Sequence, residues 1–293
     1  MLLLFALFAI TSEVVVVDAD GANARVVATL EGRWEAPNWS PGGDYLLLNS
    51  AGGLYRLPLR DPRPARVDTG GVNRINNDHG ITPDGKTYII SAGPIYTLPA
   101  AGGAPRRITA NTPSYWHGIS PDGRTLVYCA PRDTGGARNF DIYAIRIEGG
   151  EERRLTVHPG YDDGPDYSAD GQWIWFNSDR SGSWDLWRMP AAGAGPNDER
   201  AERMTFDEWE DWFPHPSPDG RWVVFLSYGK GTQGHPADRP VLLRRMDLRS
   251  GEVAVIQRLF GGQGTINVNS WSPDSRQFAF VRYVVSAPAA PAP

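Results

Sequence analysis

The chain has little cysteine, no block of basic residues and no apolar run long enough to cross a bilayer. The single cysteine, Cys129, excludes an internal disulfide, and its apolar neighbours predict a buried thiol. The 29 Lys and Arg residues are scattered among 34 Asp and Glu residues, which argues against nucleic acid as a partner. Residues 2–10 are apolar but fall short of the roughly 20 residues of a membrane-spanning helix, so we expect no membrane span.

Two further signals are weak or missing. No Gly-x-Ser-x-Gly sequence is present, which excludes the nucleophile elbow of serine hydrolases. Residues 1–12 lack a positive start and a clear cleavage site, so they are a degenerate export signal, an apolar lead-in or an extra strand. By itself this segment favours a cytoplasmic location slightly over a periplasmic or secreted one. The Ala- and Pro-rich residues 286–293 predict an extended or disordered tail.

One short turn motif recurs along the chain. It reads Ser or Thr, then Pro, Asp and Gly, with small departures, and its copies are about 40 to 55 residues apart. Proline presets φ, the aspartate bonds back to its own backbone, and glycine adopts positive φ. Because the aspartate recurs in the same role, we interpret it as structural and exclude it from any site. The six copies occupy residues 40–43, 82–85, 120–123, 168–171, 217–220 and 272–275.

Each turn precedes a run rich in β-branched and aromatic residues, such as residues 125–128, which predicts a buried strand. A third and a short fourth run follow. Four strands in each of six units predict an all-β, six-bladed β-propeller with four antiparallel strands per blade, a single domain over residues 13–285. Residues 13–18 and 25–30 supply the third and fourth strands of the last blade. Its first two strands are expected near 269–272 and 277–281, so the chain ends close the ring.

The repeat resembles that of a known family. Phe-Asn-Ser-Asp-Arg at 176–180, Trp-Asp-Leu-Trp-Arg-Met at 184–189 and the recurring turns resemble the TolB-type, WD-repeat-like propellers over nearly the whole chain. The resemblance implies recognition of a protein or small ligand at the channel mouth, in the cell envelope. It is less specific for function, because propellers also host enzymes. Oligogalacturonate lyases, for example, are similar metal-binding propellers.

The segments before the turns carry the candidate site. In a propeller the innermost strand of each blade borders the channel, so these segments should meet at one mouth. They contain His79, His117 and His215, which are either core residues or a cluster that binds a divalent metal or acts as acid and base. A divalent metal is thus one option for a cofactor, although no short His-x-x-His spacing supports it. His235, in the longest loop, either leans over a mouth of the channel or is a plain surface residue, and the second interpretation is preferred.

Carboxylates, amides and aromatic rings are concentrated in the same segments. Asp163 and Asp78 join the three histidines as candidate catalytic residues, and adjacent carboxylates at 162–163 would repel without a compensating group. Rings with a polar handle and side-chain amides suit a sugar or a peptide. Asn76, Tyr161 and Phe213 share these segments. The candidate ligand-binding residues are Trp34, Arg74, Asn77, Tyr115, Trp116, Asp162, Asp166, Glu210, Asp211, Trp212, Gln263, Asn267 and Asn269.

Two hypotheses follow from the residues and the resemblance. The first is a binding propeller for a saccharide or peptide ligand, or for an envelope protein, at the channel mouth. The second is a carbohydrate-active enzyme, a metal-assisted polysaccharide lyase or a glycoside hydrolase, that uses the mouth histidines and carboxylates. The sequence leaves the oligomeric state open.

Overall fold

The computed structural model describes residues 9–133 and 138–286, and these ranges contain 23 strands and no helix. Five complete four-stranded antiparallel sheets follow one another along the chain. Blade 1 comprises β3 (Glu35–Trp39), β4 (Tyr45–Ser50), β5 (Gly53–Pro58) and β6 (Ala65–Arg66). Blade 2 comprises β7 (His79–Ile81), β8 (Thr87–Ser91), β9 (Ile95–Pro99) and β10 (Arg106–Arg107).

The next three blades repeat the pattern. Blade 3 comprises β11 (Tyr115–Ile119), β12 (Thr125–Asp133), β13 (Arg138–Arg146) and β14 (Arg153–Arg154). Blade 4 comprises β15 (Asp162–Tyr167), β16 (Trp173–Ser178), β17 (Asp185–Pro190) and β18 (Glu202–Arg203). Blade 5 comprises β19 (Glu210–Pro216), β20 (Trp222–Tyr228), β21 (Ala237–Asp247) and β22 (Val253–Gly262).

The sixth blade joins the two ends of the chain, which confirms the predicted six-bladed closed ring. Its sheet contains β23 (Gln277–Ser286), β1 (Ala9–Asp18) and β2 (Arg25–Glu31), and β1 pairs with β23 over ten residues. At its innermost position the expected strand is only a single bridge between Trp271 and Phe278. Strand β1 begins four residues before the boundary expected at residue 13. Residues 1–8 of the apolar lead-in and 287–293 of the tail lie outside the described residues.

The recurring turns have the hydrogen bonds that their sequence predicts. Thr82 donates its hydroxyl to Asp84 at 2.6 Å, and the same carboxylate oxygen accepts from the backbone N–H of Lys86 at 3.0 Å. Gly85 has a φ of 71°. In four other turns the corresponding aspartate accepts a hydrogen bond from the serine hydroxyl that begins the same turn. These aspartates are Asp122, Asp170, Asp219 and Asp274. These aspartates therefore stabilise the turns, the structural role that their repetition predicts.

Apolar residues fill the spaces between neighbouring blades. Trp212, Phe225 and Phe280 are fully buried, and Cys129 is buried as its neighbours predict. Blades 2 and 3 approach so closely that a Cβ on Gly80 would lie 2.0 Å from the Trp116 ring. This packing holds the inner strands around the channel, where strand β15 is buried at every position although three of its six residues are aspartates.

Several inner strands bulge at the same depth. The pairing of β11, β15 and β19 with the next strand shifts register at Trp116/Gly118, Asp163/Asp166 and Trp212/His215. At these points Gly164 and Phe213 have φ values of 60° and 56°. A bulge re-aims side chains and ends regular pairing. The bulges therefore decide which residues of the inner strands can face the channel mouth.

Ring closure gives a stability prediction within one strand. Val281 is 0% exposed opposite Val14, whereas Val285 is 45% exposed. Val281→Ala should lower the free energy of unfolding by about 1.5 to 3 kcal/mol, because it leaves a cavity in the closing blade. Val285→Ala should change it by less than about 0.5 kcal/mol. Urea unfolding followed by tryptophan fluorescence measures both, and equal effects would contradict the closure of the ring by β1 and β23.

Candidate functional site

Segments before five of the six turns meet around a cavity of about 190 Å³. We call it the lead-in cavity. Five of the six blades contribute to it. Its lining residues are Asn76, Asp78, Tyr115, His117, Phe140, Tyr161, Asp163, Phe213, His235, Gln263 and Asn267. Six candidate site residues are thus brought together: Asp78, Tyr115, His117, Asp163, Gln263 and Asn267.

His117 lies at the centre of the cavity's polar network. Its Nε2 lies 3.2 Å from Asp163 Oδ1, and its Nδ1 donates to the backbone carbonyl of Asn267 at 3.1 Å. Asp78 Oδ1 is 3.9 Å from Nε2. Carbonyl and carboxylate oxygens only accept hydrogen bonds, so both ring nitrogens must carry protons to satisfy them. With Asp163 ionised, this arrangement favours the imidazolium form of the ring.

The pKa values of the three groups follow from this geometry. Burial alone would lower the pKa of His117, but the charge of Asp78 and the hydrogen bond to Asp163 outweigh it and raise this pKa to about 9. Burial opposes ionisation of Asp163 as well, yet its hydrogen bond and charge interaction with His117 lower its pKa to about 2. Asp78 lacks such a close partner, and burial raises its pKa to about 6.

His235 forms another wall of the cavity, so it leans over the mouth and the preferred interpretation as a plain surface residue is wrong. Its ring packs edge-on against Trp212 at 4.6 Å and Phe213 at 5.2 Å between centroids. Nε2 lies 3.7 Å from Asp163 Oδ2. Burial lowers the pKa of His235, which favours the neutral ring. The residue belongs to the loop between β20 and β21, outside the segments before the turns, so the register of the repeats did not decide between its two interpretations.

Aromatic rings complete the lining. Tyr161 donates its hydroxyl to Asp163 Oδ2 at 3.2 Å, and its ring lies 4.3 Å from that of Phe140. Phe213 stacks on the His117 ring at 5.8 Å. Sequence reasoning missed Phe140, because it belongs to the third strand of blade 3 and not to the segment before a turn.

The three candidate histidines do not form one cluster. His79 is buried with Nε2 3.3 Å from Asn49 Oδ1, and burial lowers its pKa to about 3. His215 donates Nε2–H to the carbonyl of Ile266 at 2.6 Å and faces Asp166 through Nδ1. Within residues 9–133 and 138–286, no three His, Cys, Asp or Glu side chains are arranged to hold a metal ion. Because His79 and His215 bond elsewhere, the three histidines do not form a shared metal site.

Most of the remaining candidate carboxylates have structural partners. Asp162 pairs with Arg180 at 2.8 Å, and Asp211 accepts from the Ser227 hydroxyl at 2.6 Å. Glu210 accepts from two backbone N–H groups, those of Trp184 and Gly231. A buried carboxylate requires such partners. Asp162 and Asp211 thus stabilise their own blades, Glu210 links blades 4 and 5, and none of the three lines the lead-in cavity.

The other candidates also lie away from this cavity. Asp166 accepts from the Asn269 amide at 2.9 Å, at the opposite end of the channel. That end forms a depression of about 390 Å³ whose rim includes residues of all six turns. Trp34 packs against Tyr55, and Arg74 is exposed. Asn77, Trp116 and Trp212 are buried and do not line the lead-in cavity.

Comparison with known proteins agrees with this fold. A family model for the TolB beta propeller domain matches residues 119–280, more than half of the chain. The chain belongs to the TolB β-propeller family. An uncharacterized protein of Agrobacterium fabrum is 49% identical over 266 residues, 88% of this chain and 88% of that protein. A solved structure from Agrobacterium tumefaciens, provisionally described as TolB, has a TM-score of 0.88 at 49% identity and covers 94% of this chain and 99% of its own.

A more distant relative is larger. The Tol-Pal system protein TolB of Francisella tularensis is 31% identical over 198 residues, which are 61% of this chain but 43% of that protein. This TolB-family propeller thus matches less than half the length of that relative. The described part of the chain contains no helix with the length and hydropathy needed to cross a bilayer.

Two histidines in the same sequence register should have pKa values that are shifted in opposite directions. At pH 7 we expect a protonated His117 ring and a neutral His79 ring, with pKa values of about 9 and about 3. NMR titration of ¹⁵N-histidine-labelled protein measures both. A His117 ring that titrates at or below pH 6.5 would contradict the paired geometry.

The same pKa shift has a consequence for stability. The folded-state pKa of His117 is above its ordinary value of 6.5, so its contribution to the free energy of unfolding is complete below pH 6.5. That contribution is lost as the pH rises through about 9. The stability difference between the wild type and His117→Gln should therefore shrink over this range.

Proposed function

We propose that this propeller is a binding protein that captures a protein or peptide partner at the lead-in mouth, with one small group of the partner inside the cavity. The observation that carries the proposal is the lead-in cavity itself, which side chains from five blades enclose. Converging polar groups with perturbed pKa values in a concave place are the usual mark of a binding site.

The size of the cavity favours a single inserted group. Pockets for whole small-molecule ligands usually have volumes of about 300 to 1,000 Å³. The lead-in cavity, at about 190 Å³, is smaller than that range. A side chain or chain end of a larger partner matches this volume better than an oligosaccharide does.

The hydrogen bonds of the cavity favour binding over turnover. The Asp163 carboxylate is tied to His117, to Tyr161 and to the backbone N–H of Gly164, at 2.7 Å for the last. Because its pKa is low, Asp163 is a weak base. These contacts support a fixed recognition site.

A carbohydrate-active enzyme is the second candidate. The observation that favours it is the separation of two carboxyl pKa values in one cavity, about 6 for Asp78 and about 2 for Asp163. Glycoside hydrolases use one protonated and one ionised carboxyl group. The metal-assisted lyase has no corresponding support, because the described side chains do not converge on a metal position.

The relatives suggest where such a partner would be found. The Francisella relative bears the name of a Tol-Pal system protein. We extend this to the present chain as a partner protein in the cell envelope.

Photocrosslinking tests the proposed mouth. A benzoylphenylalanine placed at Gln263, which lines the cavity, should crosslink to a discrete partner in the native host. The same residue at Gln172, an exposed glutamine of a turn in blade 4, is the matched control. Mass spectrometry identifies the product. No product from Gln263, or the same product from both positions, would contradict the proposal.

The enzyme candidate has a separate test. Release of reducing ends or unsaturated sugars from oligosaccharides is measured for the wild type and Asp163→Asn. We expect no turnover by either protein. Wild-type turnover that Asp163→Asn abolishes would favour the carbohydrate-active enzyme instead.

A further inference from the structure

The charges around the lead-in cavity do not balance. One imidazolium, His117, faces the two carboxyl groups of Asp163 and Asp78. None of the eleven described residues that line the cavity is Lys or Arg. His235 is driven toward its neutral form by burial, so it does not supply the missing positive charge.

Asp78 is the carboxyl group whose nearest cation, His117, lies beyond hydrogen-bond distance and is shared with Asp163. Its side chain is only 6% exposed, its Oδ2 accepts from the Asn76 amide, and Oδ1 lies 3.9 Å from His117 Nε2, beyond hydrogen-bond distance. A buried carboxylate that lacks a full partner is costly. A proton reduces that cost at low pH, and a cationic group in the cavity would reduce it at neutral pH.

The walls of the cavity suit an organic cation. Phe140, Tyr161 and Phe213 contribute aromatic rings to the lining. Aromatic faces carry partial negative charge and attract ammonium and guanidinium groups, most strongly where water is excluded. An anion would meet excess negative charge here, and a neutral sugar would leave Asp78 uncompensated.

We propose that the lead-in cavity binds an ammonium or guanidinium group, with Asp78 as its counter-ion and the aromatic rings as its walls. This inference rests on the proposed function and adds the chemical class of the inserted group. The cation can belong to a lysine or arginine side chain of a partner, or to a free amine.

Matched cationic and neutral probes separate these sources. The free-amine pair is n-butylammonium chloride and n-butanol, and the peptide pair is acetyl-Gly-Lys-Gly-amide and its norleucine analogue. Binding is followed at pH 7.5 by the NMR signals of the His117 and His235 rings. Binding of either cationic probe without its neutral analogue supports the proposal, and the arm that binds identifies the source. Failure of both cationic probes, or equal binding of the neutral analogues, overturns it.

Two variants test the role of Asp78. Asp78→Asn should weaken binding of the cationic probe about tenfold or more, because it removes the buried counter-charge. Asp166→Asn is the matched control, because Asp166 is a buried aspartate beside a histidine at the other end of the channel. This variant should bind the cationic probe with an affinity within about twofold of that of the wild type. Equal losses in the two variants would contradict a specific role for Asp78. Urea unfolding of each variant confirms that it is folded.

The pH dependence of the wild type gives an answer even if Asp78→Asn does not fold. The charged groups facing Asp78 are His117, Asp163 and Glu35, and burial raises its pKa to about 6. A cation that requires ionised Asp78 should therefore bind more weakly as the pH falls from 7 to 5, with release of a proton on binding at the lower pH. Calorimetry in buffers of different ionisation enthalpy measures that proton. An affinity that does not change over this range would overturn the proposal.

The inference and the proposed function can fail separately. A crosslinked partner at Gln263 together with no cation binding would leave the function and remove the inference. Cation binding with no partner at the mouth would leave the inference and remove the protein partner.

Discussion

A carboxylate can be buried only where a cation or several hydrogen-bond donors face it, and this constraint shapes the channel of the propeller. The inner strand β15 buries three aspartates, and the charge of each is compensated by a different partner. Asp162 pairs with Arg180, Asp163 with His117, and Asp166 with His215 and the Asn269 amide. The contacts of Asp163 and Asp166 link blade 4 to blades 3, 5 and 6, so charge compensation also joins the blades around the channel.

The lead-in cavity is where this compensation is incomplete. Asp78 shares the positive charge of His117 with Asp163. Nε2 of His117 lies 3.2 Å from the Asp163 carboxylate and 3.9 Å from that of Asp78. The two carboxyl groups consequently differ in pKa although they line the same space. A protein that needed only stability would gain from a full partner for Asp78. The uncompensated charge of Asp78 is the observation on which the proposed cation site rests.

Membership of the TolB family describes the scaffold better than it describes the site. The family match rests on the repeat, whose turns and strands serve the fold in every blade. The residues of the cavity come instead from the segments before the turns, from the third strand of blade 3 and from a long loop. Function in a propeller depends on such grafted positions, so the fold alone assigns no chemistry.

The sequence by itself determined the propeller, its six blades and the closure of the ring, because turn chemistry and strand composition are local properties that repeat. It also located the mouth, since register carries each segment before a turn to the same end of the channel. Only the tertiary structure decided which of those residues meet. The bulges at His117, Asp163 and Phe213 place them at the cavity, whereas His79 and His215 bond elsewhere, and no local pattern records that difference. His235 and Phe140 reach the cavity through contacts between elements distant in sequence. Protonation of the charged groups depends on burial and on neighbours from other blades, which exist only after the ring has closed.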